Sequence, residues 1–156
     1  MSRIELPDEA ATARLGAALA AGTAPGRVLF LRGELGAGKT TLVRGLLRAL
    51  GYQGRVKSPT YGLLELYSVS RLNLYHFDLY RVRDRSEWLN SGFREYFNPE
   101  SVCIVEWPER AAGSLAPPDL EVRLEFAGNA RSAILSAHSE AGQAWLDAAL
   151  MRWRPA

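Results

Sequence analysis

Cysteine is almost absent from this chain of 156 residues, which contains only Cys103. A single thiol cannot form an internal disulfide, so we expect no disulfide partner and favour a reducing compartment, the cytoplasm. Cys103 lies inside an apolar run, which indicates a small buried side chain and argues against a redox role, because reactive thiols need an accessible, polarised setting. The two histidines and this cysteine show no metal-ligand spacing, which argues against a zinc site.

Long apolar runs and an excess of charge are also missing. No stretch approaches the roughly 18 apolar residues of a membrane span, and Glu5 is an acid too early for a secretory signal, so we expect no membrane association. The 19 basic and 17 acidic residues give a net charge of +2, which is too small to indicate nucleic-acid binding. With 47% hydrophobic residues and no internal repeat, the sequence predicts one domain over 1–156, with a short basic tail at 152–156.

The distinctive stretch is 33–40 (GELGAGKT), which fills every position of the phosphate-binding pattern G-x-x-x-x-G-K-[ST]. An apolar run at 28–31 precedes it and helical spacing continues through 41–50, so the strand, loop and helix that the motif requires are predicted. The glycines let backbone N–H groups and the helix N-terminus point at phosphate oxygens. Lys39 would neutralise the β- and γ-phosphates, and the Thr40 hydroxyl would coordinate Mg²⁺. The expected ligands are therefore ATP or another nucleotide and its Mg²⁺.

Two acids that follow predicted strands are candidates for the metal site. Glu106 ends a continuous apolar run at 102–105, which is typical of a strand covered on both faces, and α/β sheets place ligands beyond such strand ends. We therefore expect Glu106 to hold Mg²⁺ together with Thr40, directly or through water. Asp78 follows a more mixed run. Near the metal, Asp78 would either support the metal ligands or orient the attacking water. The alternative is a surface acid that ends a strand or caps the next turn.

The interpretation of several neighbouring polar residues stays open. Ser58 and Thr60 lie in a loop with one proline, which either closes over the γ-phosphate or forms an ordinary turn. For His76 we favour a structural histidine over a catalytic base. The arginines alternate at 81–85. For them we favour a solvent-exposed rim over an arm that contacts phosphate. Trp107 either lines a nucleotide pocket or anchors the core.

The remaining segments predict an α/β fold in which helices flank a mixed parallel and antiparallel central sheet. Helices are expected from the cap Asp8 to about residue 22, after Asp84 with an interruption near Gly92, and from the cap Ser139 to about residue 151. Strands are expected at 63–67 and 72–78 around a turn at 68–70, at 102–106, and at 120–126 and 131–137 around a turn at 127–130.

Four motifs, in this order in a short chain, resemble the bacterial TsaE family, also called YjeE. They are 33–41 (GELGAGKTT), 56–61 (VKSPTY), 75–81 (YHFDLYR) and 105–108 (VEWP). The resemblance spans nearly the whole chain, and the last three motifs are far more specific than the phosphate loop. It implies a small P-loop domain with a mixed sheet, in agreement with the hairpins predicted above.

The resemblance also implies a function and a set of site residues. The family member would be a Mg²⁺-dependent ATPase required for threonylcarbamoyladenosine (t6A) in tRNA. It would act with the partner proteins TsaD and TsaB, reset their complex by hydrolysing ATP, and meet tRNA only indirectly. The implied metal ligands are Thr40 and Glu106, and the implied catalytic residues are Lys39, Thr60, Asp78 and Glu106. The implied nucleotide-binding residues are Glu9, Gly33, Gly36, Ala37, Gly38, Lys39, Thr40, Thr41, Trp107 and Arg131.

Three other functions could use the same loop. A small-molecule kinase shares its Mg²⁺ chemistry, but the chain lacks room for an acceptor-binding insert and an arginine-bearing lid. A GTPase switch is disfavoured because no Asn-Lys-x-Asp motif for guanine occurs. A nucleotide-gated binding module without significant turnover remains a candidate. We expect slow hydrolysis by the isolated chain, since neither an arginine finger nor a water-positioning glutamine can be assigned.

Overall fold

The structure, a computed structural model, describes residues 1–59 and 63–155. Its strands are β1 (Ser2–Leu6), β2 (Val28–Arg32), β3 (Leu64–Val69), β4 (Leu72–Asp78), β5 (Ser101–Glu106), β6 (Leu120–Ala127) and β7 (Ala130–Ala137). Its helices are α1 (Glu9–Ala20), α2 (Lys39–Leu50), α3 (Arg85–Asn90) and α4 (Glu140–Arg152), with 3₁₀ turns at Phe93–Tyr96 and Pro108–Ala111. No helix in these ranges combines the length and the apolar character that crossing a membrane would require.

The seven strands of the described ranges form one sheet in the order β1-β7-β6-β2-β5-β4-β3. Strand β2 pairs in parallel with both β5 and β6, and β4 is parallel to β5. The pairs β1–β7, β6–β7 and β3–β4 are antiparallel. The prediction of an α/β fold with a mixed central sheet is therefore confirmed. Because β2, β5 and β4 run in the same direction, their carboxyl ends meet at one edge.

Apolar side chains cover both faces of the central strands. On one face, Leu29 and Leu31 of β2 belong to a core that includes Trp145 of α4. On the other face, Phe30 belongs to a second core that includes Trp88 of α3. Strand side chains alternate between faces, so a strand buried on both sides needs a continuous apolar run, as 28–31 has.

Helix α1 packs on α2 through two glycines. A Cβ atom on Gly45 would lie 2.1 Å from the carbonyl oxygen of Ala13, and one on Gly16 would lie 2.0 Å from that of Leu42. The helix backbones approach too closely for any side chain at these positions. This contact fixes α1 beside the helix that follows the phosphate loop.

The three predicted helix caps are confirmed. The Asp8 carboxylate accepts a hydrogen bond from the Ala11 N–H at 2.8 Å, and the Asp84 carboxylate accepts from the Ser86 and Glu87 backbone. The Ser139 hydroxyl oxygen accepts from the Gly142 N–H at 2.9 Å. Each cap satisfies an N–H group that the helix itself leaves without an acceptor.

Three features differ from the predictions. The turn predicted at 127–130 spans only residues 128 and 129, because β6 continues to Ala127 and β7 begins at Ala130. Strand β1 was not predicted, although Ile4 and Leu6 alternate inward and the strand pairs with β7. The turn predicted at 68–70 is shorter and lies further along, because β3 continues to Val69. Ser70 and Arg71 both have positive φ, 51° and 64°, and form a two-residue hairpin turn that matches strand twist.

Candidate nucleotide-binding site

The phosphate loop lies between β2 and α2, and its glycines adopt backbone angles that other residues avoid. Gly36 and Gly38 have φ of 80° and 112°, and Gly38 immediately precedes the first helical residue, Lys39. At Gly33 a Cβ atom would lie 2.7 Å from the carbonyl oxygen of Leu124. The glycines therefore allow the main chain to curl tightly, with the positive end of the α2 dipole at its centre.

Lys39 lies inside this loop and is only 6% exposed. Its Nζ donates hydrogen bonds to the carbonyl oxygens of Gly33 and Glu34, the latter at 3.2 Å. The same Nζ lies 4.7 Å from the ring centroid of Trp107. Trp107 itself has a positive φ of 57°, an uncommon conformation for a non-glycine residue that aims its ring at the loop.

The charge of Lys39 depends on two opposing influences. Burial is the larger one and lowers the pKa of Lys39 from its ordinary value, while nearby carboxylates, first Glu106 and then Asp78, act to raise it. A partly desolvated ammonium is stabilised by any anion placed against it. The loop is therefore suited electrostatically to a phosphate group.

Asp78 and Glu106 are register neighbours at the carboxyl ends of the parallel strands β4 and β5. They are 4% and 3% exposed, so the interpretation of Asp78 as a surface acid is wrong. Its Oδ1 accepts from the Tyr80 N–H and its Oδ2 from the Ser58 hydroxyl, both at 3.0 Å. Asp78 thus caps the next turn, as one alternative held, and also stands beside Glu106.

His76 makes a buried contact that its sequence pattern did not reveal. It is fully buried, and its Nε2 lies 2.6 Å from Oε2 of Glu106. His76 and Asp78 are two residues apart on β4 and so share a face of the sheet. This period-two spacing was the available signal, but the partner Glu106 is 30 residues away.

One cavity, of about 450 Å³, opens where these groups meet. Arg81, one of the alternating arginines, is exposed as predicted and also lines this cavity. Trp107 is half-buried and lines it as well, which favours the first of its two interpretations. The lining residues are Leu35, Gly36, Gly38, Lys39, Thr40, Thr41, Ser58, Asp78, Tyr80, Arg81, Glu106 and Trp107.

A second cavity, of about 310 Å³, lies on the other side of the same loop. Arg131 borders it and donates a hydrogen bond from Nη2 to the Gly36 carbonyl oxygen at 3.3 Å, with its guanidinium 4.3 Å from the Phe126 ring. The lining residues are Leu6, Asp8, Glu9, Thr12, Gly36, Ala37, Gly38, Thr41, Asn129, Ala130 and Arg131. Because Gly36, Gly38 and Thr41 border both cavities, an extended ligand that crosses the loop could reach the two together.

The structure therefore gathers the candidate residues around one loop, in two groups. Lys39, Thr40, Asp78, Glu106 and Trp107 share the first cavity, while Glu9, Ala37 and Arg131 share the second. Thr60, a catalytic candidate, lies outside the described residues.

The donors available to a metal are oxygen atoms. The described residues contain no group of three or more His, Cys, Asp and Glu side chains that could hold an ion by themselves. The Thr40 hydroxyl and the Glu106 carboxylate both border the first cavity. Such a sparse oxygen set fits Mg²⁺, which keeps several waters and shares its coordination with substrate phosphates.

A glycine-rich loop that joins a central strand to a helix, with acids at the neighbouring strand ends, defines a P-loop NTPase-type α/β protein. Residues 6–133 match the family model described as threonylcarbamoyl adenosine biosynthesis protein TsaE. The chain belongs to the TsaE family.

Individual relatives agree with this assignment. The chain is 46% identical over 116 residues to the tRNA threonylcarbamoyladenosine biosynthesis protein TsaE of Haemophilus influenzae, covering 74% of this chain and 73% of that protein. It is 43% identical over 124 residues to the protein of the same name from Bacillus subtilis, covering 79% and 75%. The crystal structure of Bacillus subtilis YdiB superposes with a TM-score of 0.83 at 28% identity, covering 96% of this chain and 94% of that one.

Proposed function

We propose that the protein is a Mg²⁺-dependent ATPase that serves t6A biosynthesis in tRNA. The observation that carries the proposal is the convergence of the Lys39 ammonium, the Thr40 hydroxyl and two buried acids on one cavity beside a glycine loop. That combination provides main-chain donors and a cation for phosphates, and oxygen ligands for magnesium. The names of the relatives supply the pathway.

Each residue has a distinct task in this proposal. Lys39 binds the β- and γ-phosphates, and Thr40 with Glu106 holds the magnesium ion. When bound, that ion neutralises charge that develops on the phosphate oxygens during transfer. Asp78 orients the attacking water, since its carboxylate is buried beside Glu106 at the strand edge.

The second cavity would take the remainder of the nucleotide. Glu9 of helix α1 and Arg131 of strand β7 both border it. Both are polar side chains that can hydrogen-bond a ribose or a base. Trp107 would shield the phosphate side, because its ring covers the Lys39 ammonium.

Turnover is expected to depend on partner proteins. An arginine finger supplied by a partner can raise the rate of phosphoryl transfer by about 10³–10⁵-fold. We place the chain with TsaD and TsaB in the cytoplasm, where its ATP hydrolysis would reset their complex between rounds of modification. tRNA would meet the chain only through that complex.

The direct test is reconstitution of tRNA modification with and without this chain. Multiple-turnover t6A formation, measured by mass spectrometry of the nucleosides, should require the wild-type chain and fail with Lys39→Ala. The control Arg94→Ala removes an exposed cation that borders neither cavity and should behave as wild type. Equal t6A yields without the chain or with Lys39→Ala would contradict the proposal.

A further inference from the structure

The buried contact between His76 and Glu106 is a polar interaction that the roles above leave unexplained. His76 is 0% exposed, Glu106 is 3% exposed, and His76 Nε2 lies 2.6 Å from Glu106 Oε2. An ionised carboxylate only accepts hydrogen bonds, so the ring nitrogen that faces it must carry the proton. A Glu106 carboxylate that binds a cation therefore receives its hydrogen bond from His76 Nε2.

The other ring nitrogen of His76, Nδ1, helps to explain why a histidine occupies this position. Nδ1 is buried and has no hydrogen-bond partner among the described residues. An unpaired buried nitrogen costs stability, which an apolar side chain in the same place would avoid. Among the described residues, the side chain of His76 therefore makes its polar contact with the acid assigned to the metal, which indicates a task directed at Glu106.

We propose that His76 is a positioning residue for the magnesium site, and that it holds Glu106 as a ligand with a single oxygen. Oε2 accepts from His76, whereas no hydrogen bond to Oε1 occurs among the described residues, so Oε1 has the greater capacity to face a cation. Mg²⁺ demands near-octahedral geometry from single oxygens, whereas Ca²⁺ readily accepts both oxygens of one carboxylate. Fixing the carboxylate therefore favours Mg²⁺ over Ca²⁺. This inference rests on the proposed function, since it needs a divalent cation beside the phosphates.

Two variants distinguish the effect of the donated hydrogen bond from the effect of the packing of the ring. His76→Phe keeps a ring of similar size but removes the donor, and His76→Gln keeps an N–H donor near the position of Nε2. ADP affinity is measured by calorimetry without divalent cations, with Mg²⁺ and with Ca²⁺. We expect His76→Phe to lower the Mg²⁺-dependent gain in affinity about tenfold, as is usual when a residue that orients a metal ligand is lost.

Three further readouts complete this test. Affinity for ADP without divalent cations should stay unchanged in His76→Phe, while the ratio of Ca²⁺-dependent to Mg²⁺-dependent affinity should rise. His76→Gln should retain most of the wild-type gain and the wild-type ratio. A full Mg²⁺-dependent gain in His76→Phe, or an equal loss in both variants, would overturn the inference. If the wild-type chain itself shows no Mg²⁺-dependent gain, the proposed function fails first.

A measurement on the wild-type chain keeps the test independent of how the variants fold. The chain has two histidines, and His138 is half-exposed near Glu121 while His76 is buried, so their imidazole signals are readily told apart. Nitrogen-15 NMR of the imidazole rings should show the proton of His76 on Nε2. A neutral ring that carries its proton on Nδ1 would contradict the geometry on which the inference stands.

Discussion

At the residue scale, the two buried carboxylates differ in which oxygens already have donors. Both oxygens of Asp78 accept hydrogen bonds, from Tyr80 and Ser58, whereas Glu106 accepts one from His76. The oxygen of Glu106 that has no donor among the described residues favours Glu106 over Asp78 as the metal ligand.

We predict that Glu106→Gln and Asp78→Asn have separate effects. Glu106→Gln should lower the Mg²⁺-dependent gain in ADP affinity at least about tenfold, because a neutral amide is a poor magnesium ligand. Asp78→Asn should leave that gain within about twofold but lower phosphate release in the partner complex by about 10²-fold, the usual size of an acid–base contribution. Calorimetry and phosphate release measure the two quantities. An identical pattern in both variants would rule out this division of roles.

Cys103 gives a prediction about pH. Burial raises the pKa of its thiol from 9.0 to about 12, so between these values the unfolded chain loses a proton that the folded chain keeps. The free energy of unfolding should therefore fall as pH rises through 9, by at most about 1.4 kcal/mol per pH unit from this group. Urea unfolding at pH 8 and pH 10 should show a smaller decrease in Cys103→Ala than in wild type. Equal decreases would contradict a buried thiol.

Site residues could be predicted from the sequence where the pattern that marks them is continuous along the chain. Lys39 and Thr40 belong to one continuous motif, and Glu106 ends an apolar run, so their pattern was visible. The contact of His76 with Glu106 joins two strands, and no local spacing encodes which strands become neighbours. The burial of Asp78 depends on the same pairing, which left its surface alternative open.

At the element scale, the glycine contact between α1 and α2 can be tested by the sign of the stability change in Gly45→Ala. Helix propensity alone would make Gly45→Ala stabilising by about 1 kcal/mol. The added Cβ atom would instead lie 2.1 Å from the Ala13 carbonyl oxygen, so we expect destabilisation of about 1–3 kcal/mol in urea unfolding. The control Ala49→Gly, at an exposed position of α2, should lose about 1 kcal/mol by propensity alone. A stabilised Gly45→Ala protein would refute the close packing.

Helices α1 and α4 were predicted from the sequence and strand β1 was not, for a physical reason. Helices α1 and α4 have side-chain caps at Asp8 and Ser139, and their signals are local. Strand β1 has only Ile4 and Leu6 as buried side chains and owes its existence to pairing with β7 at the far end of the chain. A short strand stabilised by a distant partner carries little signal of its own.

At the scale of the whole molecule, the glycine loop borders two cavities, and the carboxyl ends of β2, β4 and β5 meet at the same edge of the sheet. If this arrangement binds a nucleotide as proposed, no described residue has been assigned as an arginine finger, so we predict slow phosphate release by the isolated chain. Addition of TsaD and TsaB should raise the rate at least about tenfold, because partner contacts can supply groups worth far more than that. Phosphate release measured with and without the partners decides this, and fast turnover by the chain alone would contradict it.

The central claim is that the glycine loop, Lys39 and Glu106 together bind a nucleotide with its magnesium ion. Titration calorimetry of the purified chain with ADP and ATP, in the presence and absence of Mg²⁺, measures this directly. We predict saturable binding that Mg²⁺ strengthens in the wild type and that Lys39→Ala weakens strongly. Undetectable binding, or affinity that is the same with and without Mg²⁺, would contradict the claim.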